Sequence, residues 1–218
     1  MSLKEELLQT AKEMTAAGLN EGSAGNVSVR YKDGYLITPT GMLYDDCTPD
    51  DMVFMSLKTE AIKGFRKPSS EWRFHKDLYE LRPEFGAIVH VHSPFATSLA
   101  CLGKDIPPFH YMIAVAGGKD IRCTPYFTFG TQELSDAVRI AMTDRKACLL
   151  GNHGMLAAGE TLPKAFAMAV EVENLCEIYW RTLQVGGANI LSDTEMDEVL
   201  EKFKTYGQFA NQASNQSH

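Results

Sequence analysis

Apolar positions along the chain recur with two periods, and the switches between them divide it into elements. Residues 3–17 set Leu3, Leu7, Ala11 and Met14 at helical spacing, and Gly18 supplies a left-handed stop. Residues 27–31 and 35–38 flank Lys32-Asp33-Gly34 as the arms of a β-hairpin. A strand follows over 52–57, then a basic loop over 63–68. Ser69-Ser70-Glu71 opens a helix carrying Trp72, His75, Leu78 and Tyr79 at helical spacing, and Pro83 closes it.

The second half repeats this mixture. The apolar run Ala87-Ile88-Val89-His90-Val91-His92 reads as a buried strand, followed by a helical segment over 94–101. Residues 112–118 are apolar and end in Gly117-Gly118, and 121–123 form a short strand. A helix capped by Thr131 buries Leu134, Val138 and Met142. Strands at 147–150 and 155–158 surround Gly151-Asn152-His153-Gly154, and Thr161 caps a long helix to about residue 183. Ser192 and Glu195 form a capping box for a last helix bearing Met196, Val199, Leu200, Phe203 and Tyr206. The polar stretch 211–218 reads as a disordered tail.

Strands interspersed with helices predict an α/β protein: a single-domain, three-layer α/β/α sandwich over residues 1–218 with a mostly antiparallel central sheet. The alternation is not strict, and no G-x-G-x-x-G follows a strand, which argues against a dinucleotide-binding fold.

Composition narrows the function. With 218 residues, 44% hydrophobic and 22% charged, the chain is of globular type, and its net charge of -7 comes without a basic track for nucleic acid. No apolar run approaches a membrane span, and the first residues lack a signal-peptide core, which predicts a cytoplasmic protein. Five cysteines, odd in number and unpaired in spacing, read as buried small apolar residues in a reducing compartment. None has metal-site spacing, so any metal site must use nitrogen and oxygen.

The chemistry gathers around the 87–92 strand. Side chains alternate along a strand, so His90 and His92 project from one face and form half a metal site. Their alternative is a pair of histidines satisfied by backbone groups. His153, between glycines at a strand end, has little packing to do and freedom to reach a ligand. Three histidines with an open fourth position describe a catalytic rather than a structural zinc site. Glu71 is a carboxylate at a helix start, where Ser69 and Ser70 precede N–H groups suited to phosphate. Gly22 to Ser28 and Thr38-Pro39-Thr40-Gly41 are short loops whose N–H groups can also close on an anion.

The segments GNVSVR (25–30), ITPTG (37–41), SSEWRFH (69–75), HVH (90–92), HYMIAVAGG (110–118), PYFTFGTQELS (125–135), NHG (152–154) and EKFKTYG (201–207) span nearly the whole chain. Together they resemble the class II aldolase/adducin superfamily, most closely its L-fuculose 1-phosphate aldolase branch. That resemblance implies one Zn²⁺ per subunit on His90, His92 and His153. It implies a substrate phosphate on Asn26, Thr40, Gly41, Ser69 and Ser70, with Glu71 as general acid/base. It further implies Tyr111 and Phe129 reaching a neighbouring subunit's site, Tyr111 acting at the aldehyde oxygen, and Tyr206 joining from the C-terminal segment. The expected assembly is a homotetramer with sites at subunit boundaries. The implied activity is reversible cleavage of L-fuculose 1-phosphate to dihydroxyacetone phosphate and L-lactaldehyde.

Other enzymes of the same scaffold are alternatives: 5-deoxyribulose or methylthioribulose 1-phosphate aldolase, ribulose-phosphate 4-epimerase and methylthioribulose-phosphate dehydratase. More distant ones are a non-catalytic adducin-like domain and a zinc hydrolase. No lysine is obviously desolvated, which disfavours a Schiff-base route.

Overall fold

A computed structural model describes residues 1–59, 62–63 (backbone only) and 65–205. Tyr206 and the tail expected over 211–218 lie outside the described residues. The helices are α1 (Leu3–Ala16), α2 (Trp72–Leu81), α3 (Pro94–Ala100), α4 (Gln132–Ala141), α5 (Leu162–Gln184) and α6 (Asp193–Phe203). The strands are β1 (Asn26–Tyr31), β2 (Gly34–Ile37), β3 (Val53–Ser56), β4 (Ile62–Lys63), β5 (Ala87–Val91), β6 (Arg122–Thr124), β7 (Ala147–Leu150) and β8 (Gly154–Gly159). They form one eight-stranded sheet in the order β4-β3-β2-β1-β5-β8-β7-β6.

The sheet is mixed. Six pairings are antiparallel, while β6 and β7 run parallel. The parallel pair follows from its connection: α4 joins β6 to β7, and a crossover of that length returns the chain in the same direction, as a hairpin cannot. The strand β4 ends at Lys63, the first residue of the expected loop, and residues 111–116 form a 3-10 helix.

Strand alternation sorts the core into two layers. Val27, Val29, Ala87, Val89, Ala147, Leu149, Met155 and Ala157 pack with Leu7, Ala11, Leu99, Ala165 and Val172, which come from α1, α3 and α5. Ile88, Cys148, Leu150, Leu156 and Ala158 point the other way, onto Phe74, Leu78, Leu134 and Val138 of α2 and α4. Ser28 and His90, one residue out of step with the first set, belong to the α2 side. Cys47, Cys148 and Cys176 are buried as expected, but Cys101 is exposed just beyond α3. All five thiols are free. No described helix is long and apolar enough to cross a membrane.

Candidate active site

The central strand β5 carries the first ligand candidate. His90 is fully buried, and its Nδ1 lies 2.9 Å from the Met155 carbonyl oxygen. A carbonyl only accepts, so Nδ1 bears the hydrogen and Nε2 keeps its lone pair. That Nε2 lies 3.1 Å from His92 Nε2 and 3.1 Å from Glu71 Oε2.

Three local devices hold the other members. Asn20 Oδ1 accepts the His92 backbone N–H at 2.8 Å. The chain then turns into α3, whose first turn is bound by Glu173 of α5: its carboxylate accepts from Ser93 Oγ at 2.6 Å, Phe95 N–H at 2.8 Å and Ala96 N–H at 2.9 Å. A carboxylate there answers both the unpaired N–H groups and the helix dipole. His153 enters from the β7–β8 turn, where Asn152 takes φ +54°, a left-handed conformation that asparagine tolerates better than most residues. Gly154 brings that turn against β5, since a Cβ there would lie 2.4 Å from the Val91 carbonyl oxygen.

Glu71 sits just ahead of α2, in the capping position expected of a serine, and makes no capping bond. Its carboxylate is turned towards the histidines instead. Oε1 lies 3.4 Å from His153 Nε2 yet has no hydrogen-bond partner, while Oε2 accepts from Asn26 Nδ2 at 3.0 Å. Ligand atoms of Glu71, His90, His92 and His153 all fall within 4.8 Å of one another.

The electrostatics suit a cation. Burial first, then the neighbouring His90, pushes His92 and His153 down to about 4, so both rings are neutral and carry a free lone pair at ordinary pH. Burial works against the Glu71 carboxylate, but positive charge where the His90 and His153 rings face it, on a ring or on a cation held between them, together with the Asn26 amide N–H outweighs burial and holds the carboxyl below its ordinary range. Converging acceptor atoms around an orphaned buried carboxylate oxygen are compensated by a divalent ion, and nitrogen-rich sets of this kind suit zinc.

Glu71, His92 and His153 of this cluster line a cavity of about 340 Å³, while His90 is wholly buried and does not line it. Asn26, Thr40, Gly41, Ser69, Ser70, Glu71, His92, Phe129 and His153, all expected from the sequence, line it. Asn26 is partly committed, because its amide nitrogen serves Glu71 and its oxygen faces His75 at 2.5 Å. Phe129 lines this chain's own cavity, whereas the sequence reading sent it to a neighbouring subunit; Arg73 Nη1 donates to the Gly130 carbonyl at 2.6 Å and ties that loop to α2. Tyr111 is not among the lining residues. It is half exposed beside a separate cavity with Met112, Val199, Lys202 and Phe203.

Ser23, from the loop expected to close on an anion, also lines the cavity, as do Tyr126, Phe127 and Asn152, which spacing does not single out. Nor does spacing single out Asn20 and Glu173, whose roles come from contacts 72 and about 80 residues apart in sequence.

Comparison with known proteins places these features in company. Residues 5–180 match the family described as "Class II Aldolase and Adducin N-terminal domain". The chain is 56% identical to a 5-methylthioribulose-1-phosphate/5-deoxyribulose-1-phosphate aldolase of Rhodospirillum rubrum, covering 95% of this chain and 93% of that protein. It is 50% identical to an L-fuculose phosphate aldolase of Escherichia coli, covering 94% and 95%. The solved structure of an L-fuculose 1-phosphate aldolase superposes with a TM-score of 0.89 at 41% identity, over 93% of this chain and 96% of that one.

Proposed function

The chain belongs to the class II aldolase and adducin family, and we propose that it is a zinc-dependent aldolase cleaving a ketose 1-phosphate into dihydroxyacetone phosphate and a short aldehyde with an apolar end. The observation that carries this reading is the convergence of three imidazoles and the Glu71 carboxylate on one point of a cavity walled by hydroxyls and amides. A non-catalytic scaffold domain has no use for such a cluster, and a hydrolase does not account for the anion-friendly wall.

Class II aldolases depend on a metal ion; His90, His92 and His153 would hold it here, and it would supply Lewis-acid stabilisation of the negative charge left by carbon–carbon cleavage. The protein's own groups do the rest. Thr40, Gly41, Ser69 and Ser70, with the remaining Asn26 N–H, hold the phosphate and so fix the reacting carbons over the histidines. Glu71 is ionised and therefore in base form. In condensation it removes a proton from C3 of dihydroxyacetone phosphate while the aldehyde oxygen gains one. Cleavage reverses both transfers: the C4 hydroxyl loses its proton as the C3–C4 bond breaks, and the protonated Glu71 left by condensation, or protonated from solvent, returns one to C3.

Tyr126, Phe127 and Phe129 form an aromatic side of the cavity suited to a methyl or methylthio tail. L-fuculose 1-phosphate, 5-deoxyribulose 1-phosphate and 5-methylthioribulose 1-phosphate share the phosphorylated half and differ in the aldehyde. The first agrees with the 50% identical relative, the other two with the 56% identical one. Tyr111, remote from its own cavity, is assigned to the aldehyde oxygen in a neighbouring subunit of a cytoplasmic homotetramer. Tyr206 is assigned to the same half of the site.

Incubating the zinc-loaded protein with each of the three sugar phosphates and measuring dihydroxyacetone phosphate tests the proposal. Release from at least one supports it and ranks the aldehydes; release from none overturns it.

A further inference from the structure

A line of buried polar groups runs from the candidate base away from the cavity, between β1 and α2. Asn26 and Ser28 alternate on one face of β1, while Glu71, His75 and Tyr79 stand four residues apart along α2 and its cap. The two rows interlock. Asn26 Nδ2 is 3.0 Å from Glu71 Oε2, Asn26 Oδ1 is 2.5 Å from His75 Nε2, His75 Nδ1 is 2.7 Å from Ser28 Oγ, and Ser28 Oγ is 2.8 Å from the Tyr79 hydroxyl. Arg30 closes the far end, with its guanidinium 4.8 Å from the Tyr79 ring centroid and Nη2 donating to the Tyr79 carbonyl at 2.9 Å. Ser28 and His75 are wholly buried.

Donors and acceptors along this line have one consistent direction. An ionised carboxylate only accepts, so Asn26 must turn its amide nitrogen to Glu71 and its oxygen to His75. His75 Nε2 must then carry the hydrogen. Burial, reinforced by the nearby His90, pushes His75 down to about 3, so its other nitrogen is bare and Ser28 donates to it. Tyr79 in turn donates to Ser28. Flipping the imidazole tautomer would set Nδ1–H against a hydroxyl that can still rotate, but would leave Asn26 facing a bare nitrogen. The amide would then be free to invert and present its oxygen to Glu71.

We propose that His75 is a positioning residue: its Nε2–H locks the Asn26 amide so that an N–H, never the oxygen, faces Glu71 and holds the carboxylate over the histidine cluster. The proposal rests on Glu71 being the base of an aldolase. His75 itself is wholly buried and stands behind Asn26, outside the lining of the cavity described above.

The test has a spectroscopic and a kinetic arm. In the zinc-loaded protein labelled with nitrogen-15 histidine, His75 is expected as the neutral Nε2–H tautomer at pH 7. An Nδ1–H tautomer or an imidazolium overturns the proposal whatever the enzyme cleaves. If the parent cleaves no ketose phosphate, the aldolase reading fails and this arm still reports on His75.

Kinetically, His75→Phe should lower kcat by about 10- to 100-fold, the usual scale for groups that orient a reacting side chain. KM and zinc content should stay near the parent. His75→Gln, which keeps a donor near the Nε2 position, should recover most of the loss. A folded, zinc-loaded Phe variant with parental kcat overturns the proposal, as does equal impairment of both variants. Should the Phe variant fail to fold, Ser28→Ala decides: it removes the donor that keeps Nδ1 bare, so kcat should fall by about tenfold with zinc retained, and an unchanged kcat overturns the proposal.

Discussion

The inner and outer ends of the cavity are built on different principles. The inner end stands on β5 and the start of α2: His90 and Glu71 are buried, and hydrogen bonds tie them to the Met155 carbonyl and the Asn26 side chain. The outer end is made of loops. Thr40, Gly41, Ser70 and Phe129 are exposed, and they meet only because β2, α2 and the 126–130 segment end near one another. The inner end thus has a geometry set before anything binds, as chemistry at a reacting atom requires. The outer end has hydroxyls and N–H groups that, on the proposed reading, would close on the phosphate. Reaction and anchorage are divided between the stiff and the yielding part of one site.

That division is broken most severely at its inner end. His153→Ala should remove the ion and the activity together, read by metal analysis alongside dihydroxyacetone phosphate release; a variant that keeps stoichiometric metal would show that the turn ligand is dispensable. Glu71→Gln should keep the ion but lower kcat by about 10²–10⁴-fold, the range for a general base. Proton exchange at C3 of dihydroxyacetone phosphate should stop with it, and exchange at the parental rate would move the base elsewhere.

Stability gives a quieter contrast. His75 titrates near 3 when folded and near 6.5 when unfolded, so between those values the unfolded chain binds the extra proton. The His75 contribution is intact above about pH 6.5 and is lost as pH falls towards 3. Metal-free protein should therefore show a lower urea midpoint at pH 5 than at pH 7, and a rising midpoint would contradict a buried neutral ring. Ser70→Ala touches only the outer end. It should raise KM by at least about tenfold, since a hydrogen bond to a charged group contributes about 1.5–3 kcal/mol, with little change in kcat.

The same division governs what could be read from the sequence. His90 and His92 announce themselves because strand period alone puts them on one face, and Glu71 because a helix start is easy to locate. The hairpin, the Thr131 and Thr161 caps and the Ser192–Glu195 box are equally local, and the structure has each where spacing places it. Direction of pairing is not local. The parallel β6–β7 pair depends on the path of α4, and no periodicity encodes that path. Nor does spacing show that Asn26 spends its side chain on Glu71 and His75, partners 45 and 49 residues away. Phe129 stands in a turn and Tyr111 opens a 3-10 helix, both in aromatic surroundings, yet only Phe129 lines the cavity of the histidine cluster. Motif resemblance named the residues; only the fold says which of them meet within one chain.

Glu173 ties the exit of β5 to the longest helix, and this has a consequence for the protein stripped of its ion. The amides of Phe95 and Ala96 are held by a side chain of α5, so their deuterium uptake should be as slow as that of the α5 interior, with or without metal. On the proposed reading, the exit of β5 that carries His92 would then keep its place in the emptied protein, ready for an incoming ion.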